Sequence, residues 1–244
     1  MDEYKRFARN YEGLNPKEEI FKQEPFFREI IKRYSIKKCL DCACGPGWHL
    51  FMLDNLGIEC AGSDLSEEML SLAKKNLKGK NIPLKIQDFQ KLSDSWQETF
   101  DLVICMSTSI NHMQTDEDVI KALDSMYQQL DEGGILIIDN GVADALINER
   151  PKLIPARIHK DQAYYFFLQY PDEDHIIFNI LDVRKTRDSF EHDFETMTLK
   201  AITKENLEHC FAQTNFKRIH YYGDHDFSTY SAATGNRLIV VAEK

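Results

Sequence analysis

The sequence predicts an α/β fold: a mostly parallel seven-stranded sheet with helices on both faces, plus a small antiparallel β insertion. Three observations carry this expectation. Short apolar segments alternate with amphipathic ones over most of the chain, the pattern of strand, crossover helix and parallel strand. A turn of small residues, Ala43-Cys44-Gly45-Pro46-Gly47, joins the first such strand to the helix behind it. Between about residues 150 and 200 the alternation stops, and three extended stretches follow one another with no helix between them. The organisation expected is a helical lid over 1–35, one α/β domain made of 36–149 and 201–244, and a β insertion over 150–200.

Each element follows from local pattern. In the first 35 residues Ile20, Phe21, Phe26, Phe27, Ile30 and Ile31 recur near helical spacing among charges, with Pro25 punctuating the run. Lys38 to Cys42 reads as the first strand, and the glycine-bearing turn leads into a helix carrying Leu50, Phe51, Leu53 and Leu56, ended by Gly57. A strand over Ile58 to Ser63, a helix over Ser66 to Leu77, and strands over Leu84 to Gln87 and Phe100 to Met106 come next. Asp116 to Leu130 reads as a helix that Gly133 and Gly134 break before Ile135 to Asp139, an apolar run suited to a central strand buried on both faces. Ala163 to Tyr170, His175 to Arg184 and Glu191 to Lys200 make the insertion, with turn residues at Pro171 to Asp174 and Arg187 to Ser189. Thr203 starts a helix with Leu207, Cys210 and Phe211 as its stripe, and Phe216 to Tyr222 and Arg237 to Ala242 complete the sheet.

Composition narrows the function. The 244 residues suffice for one large domain with a modest insertion, and 43% hydrophobic with 29% charged residues is ordinary for a globular chain. Forty acidic against thirty basic residues give a net charge of −10, which removes the broad basic footprint of a nucleic-acid binder. The opening MDEYKRFARNYEG lacks the apolar stretch of a signal peptide, and no apolar run approaches the ~20 residues that span a bilayer. The expectation is a cytoplasmic protein with no membrane partner. Cys39, Cys42 and Cys44 crowd together, but no matching second pair follows at zinc spacing, so they read as small buried apolar side chains rather than metal ligands.

The sharpest chemical signal is Leu40-Asp41-Cys42-Ala43-Cys44-Gly45-Pro46-Gly47, a strand ending in an acid and a turn that lets a ligand touch the backbone. A dinucleotide fingerprint would place a third glycine where Leu50 stands, and Asp41 would oppose a pyrophosphate. A carboxylate instead suits an ammonium group. Asp64 ends the second strand about twenty residues beyond the turn, where an acid holds ribose hydroxyls, although the same residue also reads as a cap for the helix that follows.

These residues resemble the class I S-adenosylmethionine-dependent methyltransferases, with Ala43 at the motif's first glycine position. The resemblance spans roughly 36–142 and 201–244 and implies a Rossmann-like fold with S-adenosylmethionine as cofactor. Asp41, Ala43, Gly45 and Gly47 are then the cofactor turn, and Asp64 the ribose acid with Leu65 and Met69 beside it. Asp88 accepts from the adenine amino group and Phe89 packs on the ring, or Phe89 belongs to the core. The fourth strand and loop, Met106-Ser107 through Ser109-Ile110-Asn111-His112, look like those of small-molecule N-methyltransferases of the glycine and sugar-amine types. There Met106 and Ser107 face the sulfonium, and His112 orients an acceptor, takes its proton, or is simply a half-buried histidine. Tyr11 is the lid candidate. The insertion is positioned to shape an acceptor pocket, with Tyr164, Tyr165, Phe166, Phe167 and Tyr170 as candidate lining, about half of them facing elsewhere. Arg157, Arg184 and Arg187 are candidates for an acceptor carboxylate. The function expected is methyl transfer to a small molecule, with nitrogen favoured because no metal-ligand set accompanies a hydroxyl acceptor. The alternatives are an O-methyltransferase, a nucleic-acid methyltransferase, a nicotinamide oxidoreductase and a non-catalytic cofactor-binding protein.

Overall fold

The computed structural model describes residues 11–235 and 237–244. Residues 11–14 are helical, and α1 (Lys17–Phe21) and α2 (Glu24–Tyr34) follow. Pro25 lies in the first turn of α2, where its missing N–H has no intrahelical partner to lose. Strand and helix then alternate: β1 (Lys38–Asp41), α3 (Trp48–Asn55), β2 (Glu59–Asp64), α4 (Glu67–Asn76) and β3 (Leu84–Ile86). A 3-10 turn at Phe89–Asp94 leads to β4 (Phe100–Cys105), and a second at Ser109–His112 leads to α5 (Asp116–Gln128) and β5 (Leu130–Asn140). The chain continues through α6 (Asp144–Glu149), β6 (Leu153–Ile158), β7 (Gln162–Gln169), β8 (His175–Lys185) and β9 (Phe190–Lys200). It closes with α7 (Lys204–Phe211), β10 (Arg218–Tyr222) and β11 (Leu238–Glu243).

Seven strands lie in the order β3-β2-β1-β4-β5-β11-β10, and β6 to β9 form a separate antiparallel sheet. The run from β3 to β5 is parallel, while β11 is antiparallel to both neighbours. The chain steps outward from β1 to β3, then returns to β4 on the other side of β1. A crevice therefore opens where the crossovers diverge, outside the carboxyl ends of these strands. Alternate residues feed two cores. Leu40, Val103, Leu136 and Val240 pack with the stripes of α5 and α7, and Cys39, Leu102, Ile137 and Ile239 pack with Phe26, Phe27 and Ile30 of α2 and with α3 and α4. The clustered cysteines divide the same way, Cys42 into the first core and Cys39 and Cys44 into the second, and all six cysteines are free and buried.

Two elements depart from expectation. Gly133 and Gly134 do not break a helix: α5 has already ended at Gln128, and β5 begins at Leu130. The register between β4 and β5 shifts between Phe100 and Leu102, and any Cβ on Gly134 would stand 3.1 Å from the carbonyl oxygens of Phe100 and Asp101. The glycines thus accommodate a bulge inside the strand. The insertion has four strands rather than three. β6 carries Pro155, which an edge strand tolerates because one side of its ladder has no partner to lose. The inner face of this sheet, Leu168, Ile176, Phe178 and Leu199, packs on Val142 and on Leu146 and Ile147 of α6. Among the described residues no helix is long and apolar enough to cross a membrane.

Candidate functional site

A cavity of about 250 Å³ occupies the crevice. Its floor is the turn after β1. Gly45 has φ +49°, and a Cβ built on it would meet nothing within 4 Å, so its open side faces the cavity. Gly47, at φ +82°, is the N-cap of α3, and a Cβ there would press on Leu77 and Ala73 at 3.0 and 3.3 Å. The close approach of helix to sheet comes from β2: a Cβ on Gly62 would lie 2.5 Å from Leu50 Cδ1. Leu50 is therefore accommodated by a glycine on the strand it packs against.

Two acids brace this turn. Asp64 Oδ2 accepts from Gly45 N at 2.8 Å and Oδ1 from Ser66 N at 2.9 Å, leaving each oxygen a second lone pair for a ligand. Burial raises the Asp64 pKa against the pull of these backbone N–H groups. The cap of α4 is Ser66, whose hydroxyl accepts from Met69 N at 3.3 Å. Asp41 is fully buried; Oδ1 accepts from Ala43 N at 3.2 Å, and Oδ2 has no hydrogen-bond partner among the described residues. Burial pushes its pKa up to about 8, with the nearby Asp64 charge adding to the effect. At the end of β3, Asp88 Oδ1 accepts from Gln90 N at 2.9 Å, and Phe89 is half-buried between cavity and core.

The wall opposite is built from strained backbone. Ser107 and Thr108 both have positive φ, 56° and 69°, a conformation that costs non-glycine residues energy and persists where surroundings enforce it. Here Thr108 N donates to Asp139 O at 2.8 Å, and Thr108 Oγ1 accepts from Gly141 N at 3.0 Å. The result turns Ser107, Thr108, Ser109 and His112 into the cavity. Burial lowers the His112 pKa, so the imidazole is neutral at neutral pH. Tyr11 closes the top; burial raises its phenol to about 12, offset in part by a side-chain hydrogen bond with Ser107. The Tyr11 segment is held down by Glu12, whose Oε1 accepts from Trp48 Nε1 at 3.1 Å and from Asn76 Nδ2 at 2.9 Å. On its other side Gly13 lies against the Tyr164 hydroxyl, which occupies the space a Cβ would need.

The last wall is β9. Met197 and Leu199 project into the cavity, and the fully buried Asn111 locks this strand to the loop of His112 by donating to Lys200 O at 2.9 Å.

Tyr11, Ala43, Gly45, Asp64, Leu65, Met69, Asp88, Phe89, Ser107 and His112 thus share one cavity. Asp41, Gly47 and Met106 stand behind its surface, because the pleat turns the side chains of Asp41 and Met106 into the packed interior and Gly47 faces α4. None of Tyr164, Tyr165, Phe166, Phe167 and Tyr170 lines it, nor does any of Arg157, Arg184 and Arg187. Arg184 is held by Asp182 and Asp193, Arg157 donates to Leu14 O at 3.2 Å, and Arg187 sits in the exposed turn before β9. Sequence reasoning missed Asn15, Met197 and Leu199. The period-2 alternation of β9 was readable, but not which strand of the insertion abuts the crevice.

Residues 39–134, which contain Asp41, Asp64 and Asp88 and the strands up to β4, match the family model described as a methyltransferase domain. The chain carries a methyltransferase domain. Over 126 residues it is 36% identical to a glycine/sarcosine N-methyltransferase of Aphanothece halophytica, a match covering 51% of this chain and 48% of that protein. The chain thus spans about half the length of that relative. A longer alignment, 27% identical over 228 residues, covers 90% of this chain and 80% of a glycine/sarcosine N-methyltransferase of Halorhodospira halochloris. In fold the chain is similar to an S-adenosylmethionine-dependent methyltransferase from Clostridium acetobutylicum, with a TM-score of 0.81 at 22% identity over 98% of both chains. The donor set of the cavity fits S-adenosylmethionine: a carboxylate with lone pairs for a diol, an open glycine turn, an orphaned buried carboxylate oxygen behind it, and, among the described residues, no lysine or arginine on the cavity wall for a pyrophosphate.

Proposed function

We propose that the chain transfers a methyl group from S-adenosylmethionine to a nitrogen of a small molecule. The observation that carries this reading is the meeting, in one cavity, of Asp64, Asp88 and the open Gly45 turn with a neutral His112 and an apolar wall from β9. When bound, S-adenosylmethionine supplies an electrophilic methyl on a good leaving group, so the protein's work is alignment and exclusion of water.

In this reading Asp64 holds the ribose hydroxyls, Asp88 accepts from the adenine amino group, and Phe89, Leu65 and Met69 bracket the ring. Asp41 braces the turn from behind, its Oδ1 accepting from Ala43 N, and its Oδ2, unpartnered among the described residues, is a polar group that the bound ammonium would favour in ionised form. Tyr11, its phenol protonated at any physiological pH, covers the reacting centre with Ser107. The segment at Tyr11 acts as the lid; the part before Tyr11 lies outside the described residues, and α2 flanks it in the core. The insertion shapes the acceptor side through Met197 and Leu199, joined there by Met113 of the His112 loop.

Nitrogen is favoured over oxygen by the state of His112. A neutral imidazole of lowered basicity takes one proton from an ammonium, leaving the amine lone pair free, whereas a hydroxyl needs a stronger base. The two relatives, both glycine/sarcosine N-methyltransferases, support the same choice. A cytoplasmic location fits six free, buried cysteines. The test is transfer of labelled methyl from S-adenosylmethionine to a panel of small amines, amino acids, amino sugars and alcohols. Label in amines supports the reading, and label confined to alcohols contradicts it.

A further inference from the structure

The four-stranded sheet has a second face that, apart from its His175 and Lys200 end against Gln114 and Asp116, nothing among the described residues covers. The strand registers place Leu153 beside Phe167, Asn179 and Thr196, and Pro155 beside Tyr165, Leu181 and Phe194. In an antiparallel sheet such partners share a face. Leu153, Ile158, Phe190 and Phe194 are 50%, 64%, 71% and 49% exposed, although water favours none of them.

The charges are sorted with equal clarity. The four carboxylates of these strands, Asp182, Glu191, Asp193 and Glu195, all alternate to the opposite face, in a chain with 40 acidic residues. The cations of the apolar face lie at its margins: Lys185 and His192 at one end, His175 and Lys200 at the other, where His175 pairs with Asp172 and Lys200 with Asp116. Its central polar group is already satisfied, since Asn179 Oδ1 accepts from Thr196 Oγ1 and Asn179 Nδ2 donates to Phe167 O, both at 3.0 Å. It can be buried without an orphaned donor or acceptor.

We propose that this face is the interface of a homodimer in which two copies pack their four-stranded sheets against each other. Four strands about 4.8 Å apart and 6–11 residues long give a face on the order of 500 Å². That reaches the size of the largest apolar patches monomers expose, roughly 300–600 Å², and approaches the ~800 Å² per partner of a stable interface. Sheet-on-sheet packing suits a flat, two-layer contact. A second copy is the occupant the charges favour: around a two-fold axis the same patch faces itself, residue i meeting residue j and j meeting i, so a face with apolar residues, threonine and asparagine at its centre and charges only at its margins meets its copy without burying like charges against each other.

The test is sedimentation equilibrium of the full chain over the micromolar range. Wild type is expected at twice the 28.4 kDa chain mass. Phe194→Asp and Thr196→Arg are expected to fall to the single-chain mass, while Ile86→Asp, at an exposed apolar residue on the other sheet, keeps the doubled mass. If Phe194→Asp fails to fold by circular dichroism, Thr196→Arg, an exposed position that tolerates charge in a monomer, decides. A wild type at single-chain mass at every concentration overturns the proposal, whether or not it floats with lipid vesicles. So does a doubled mass that survives Thr196→Arg.

Discussion

Asp64→Asn isolates the proposed cofactor contact with little change of shape. The carboxylate accepts from Gly45 N and Ser66 N at 2.8 and 2.9 Å and offers its remaining lone pairs to the cavity. An amide keeps one acceptor oxygen and turns an NH2 toward the other backbone N–H, so the free protein loses about 1–3 kcal/mol. For the ligand, one hydroxyl loses a charged acceptor and the other keeps a neutral one. A hydrogen bond to a charged group contributes about 1.5–3 kcal/mol, and each ~1.4 kcal/mol is tenfold in affinity. The expected rise in Kd for S-adenosylhomocysteine is therefore roughly 10- to 150-fold, with one site per chain retained. Isothermal titration reads the affinity, and urea unfolding of the free protein separates it from the loss of stability. A Kd within threefold of wild type, alongside the stability loss, would refute the assignment of Asp64 to the ribose.

Other outcomes follow from the same geometry. Asp41 holds a proton in the fold up to about pH 8 but releases it near 3.8 when unfolded, so stability falls as pH rises between those values. Asp41→Asn should flatten that slope in thermal melts from pH 5 to 9, and an unchanged slope would show that Asp41 does not titrate as described. Gly62→Ala forces a Cβ to within 2.5 Å of Leu50 Cδ1, at about 1–3 kcal/mol in urea unfolding; a loss under ~0.5 kcal/mol would mean α3 yields freely. His112→Gln should lower kcat on an amine acceptor about 100-fold with KM little changed. The acid limb of the wild-type profile should lie below the ordinary imidazole value of 6.5, and kcat within threefold of wild type would reduce His112 to a structural residue.

The half of the cavity built at the ends of the parallel strands was legible because its pattern is local. Asp64 and Asp88 follow from acids at strand ends, and the glycine turn from residue size, so position along the chain suffices to find them. The acceptor half depends on long-range register. Whether Tyr164 or Met197 faces the crevice is decided by which strand of the insertion Asn111 ties to the loop of β4, a contact 89 positions apart that no periodicity reveals. β6 escaped because Pro155 and the shift between Pro155 and Arg157 blur its alternation, and β5 was started late because glycines that form a bulge read like helix breakers. Asp41 ends β1 at the turn, where the sequence places an acid, but the pleat of β1 buries it behind the cavity surface.

The central claim is that this crevice binds S-adenosylmethionine, and titration of the wild-type protein with S-adenosylhomocysteine and, separately, with NADH tests it most directly. Saturable binding of S-adenosylhomocysteine at one site per chain, weakened by Asp64→Asn, is expected, with no binding of NADH. Saturable NADH binding, or no binding of S-adenosylhomocysteine by the folded protein, would contradict it.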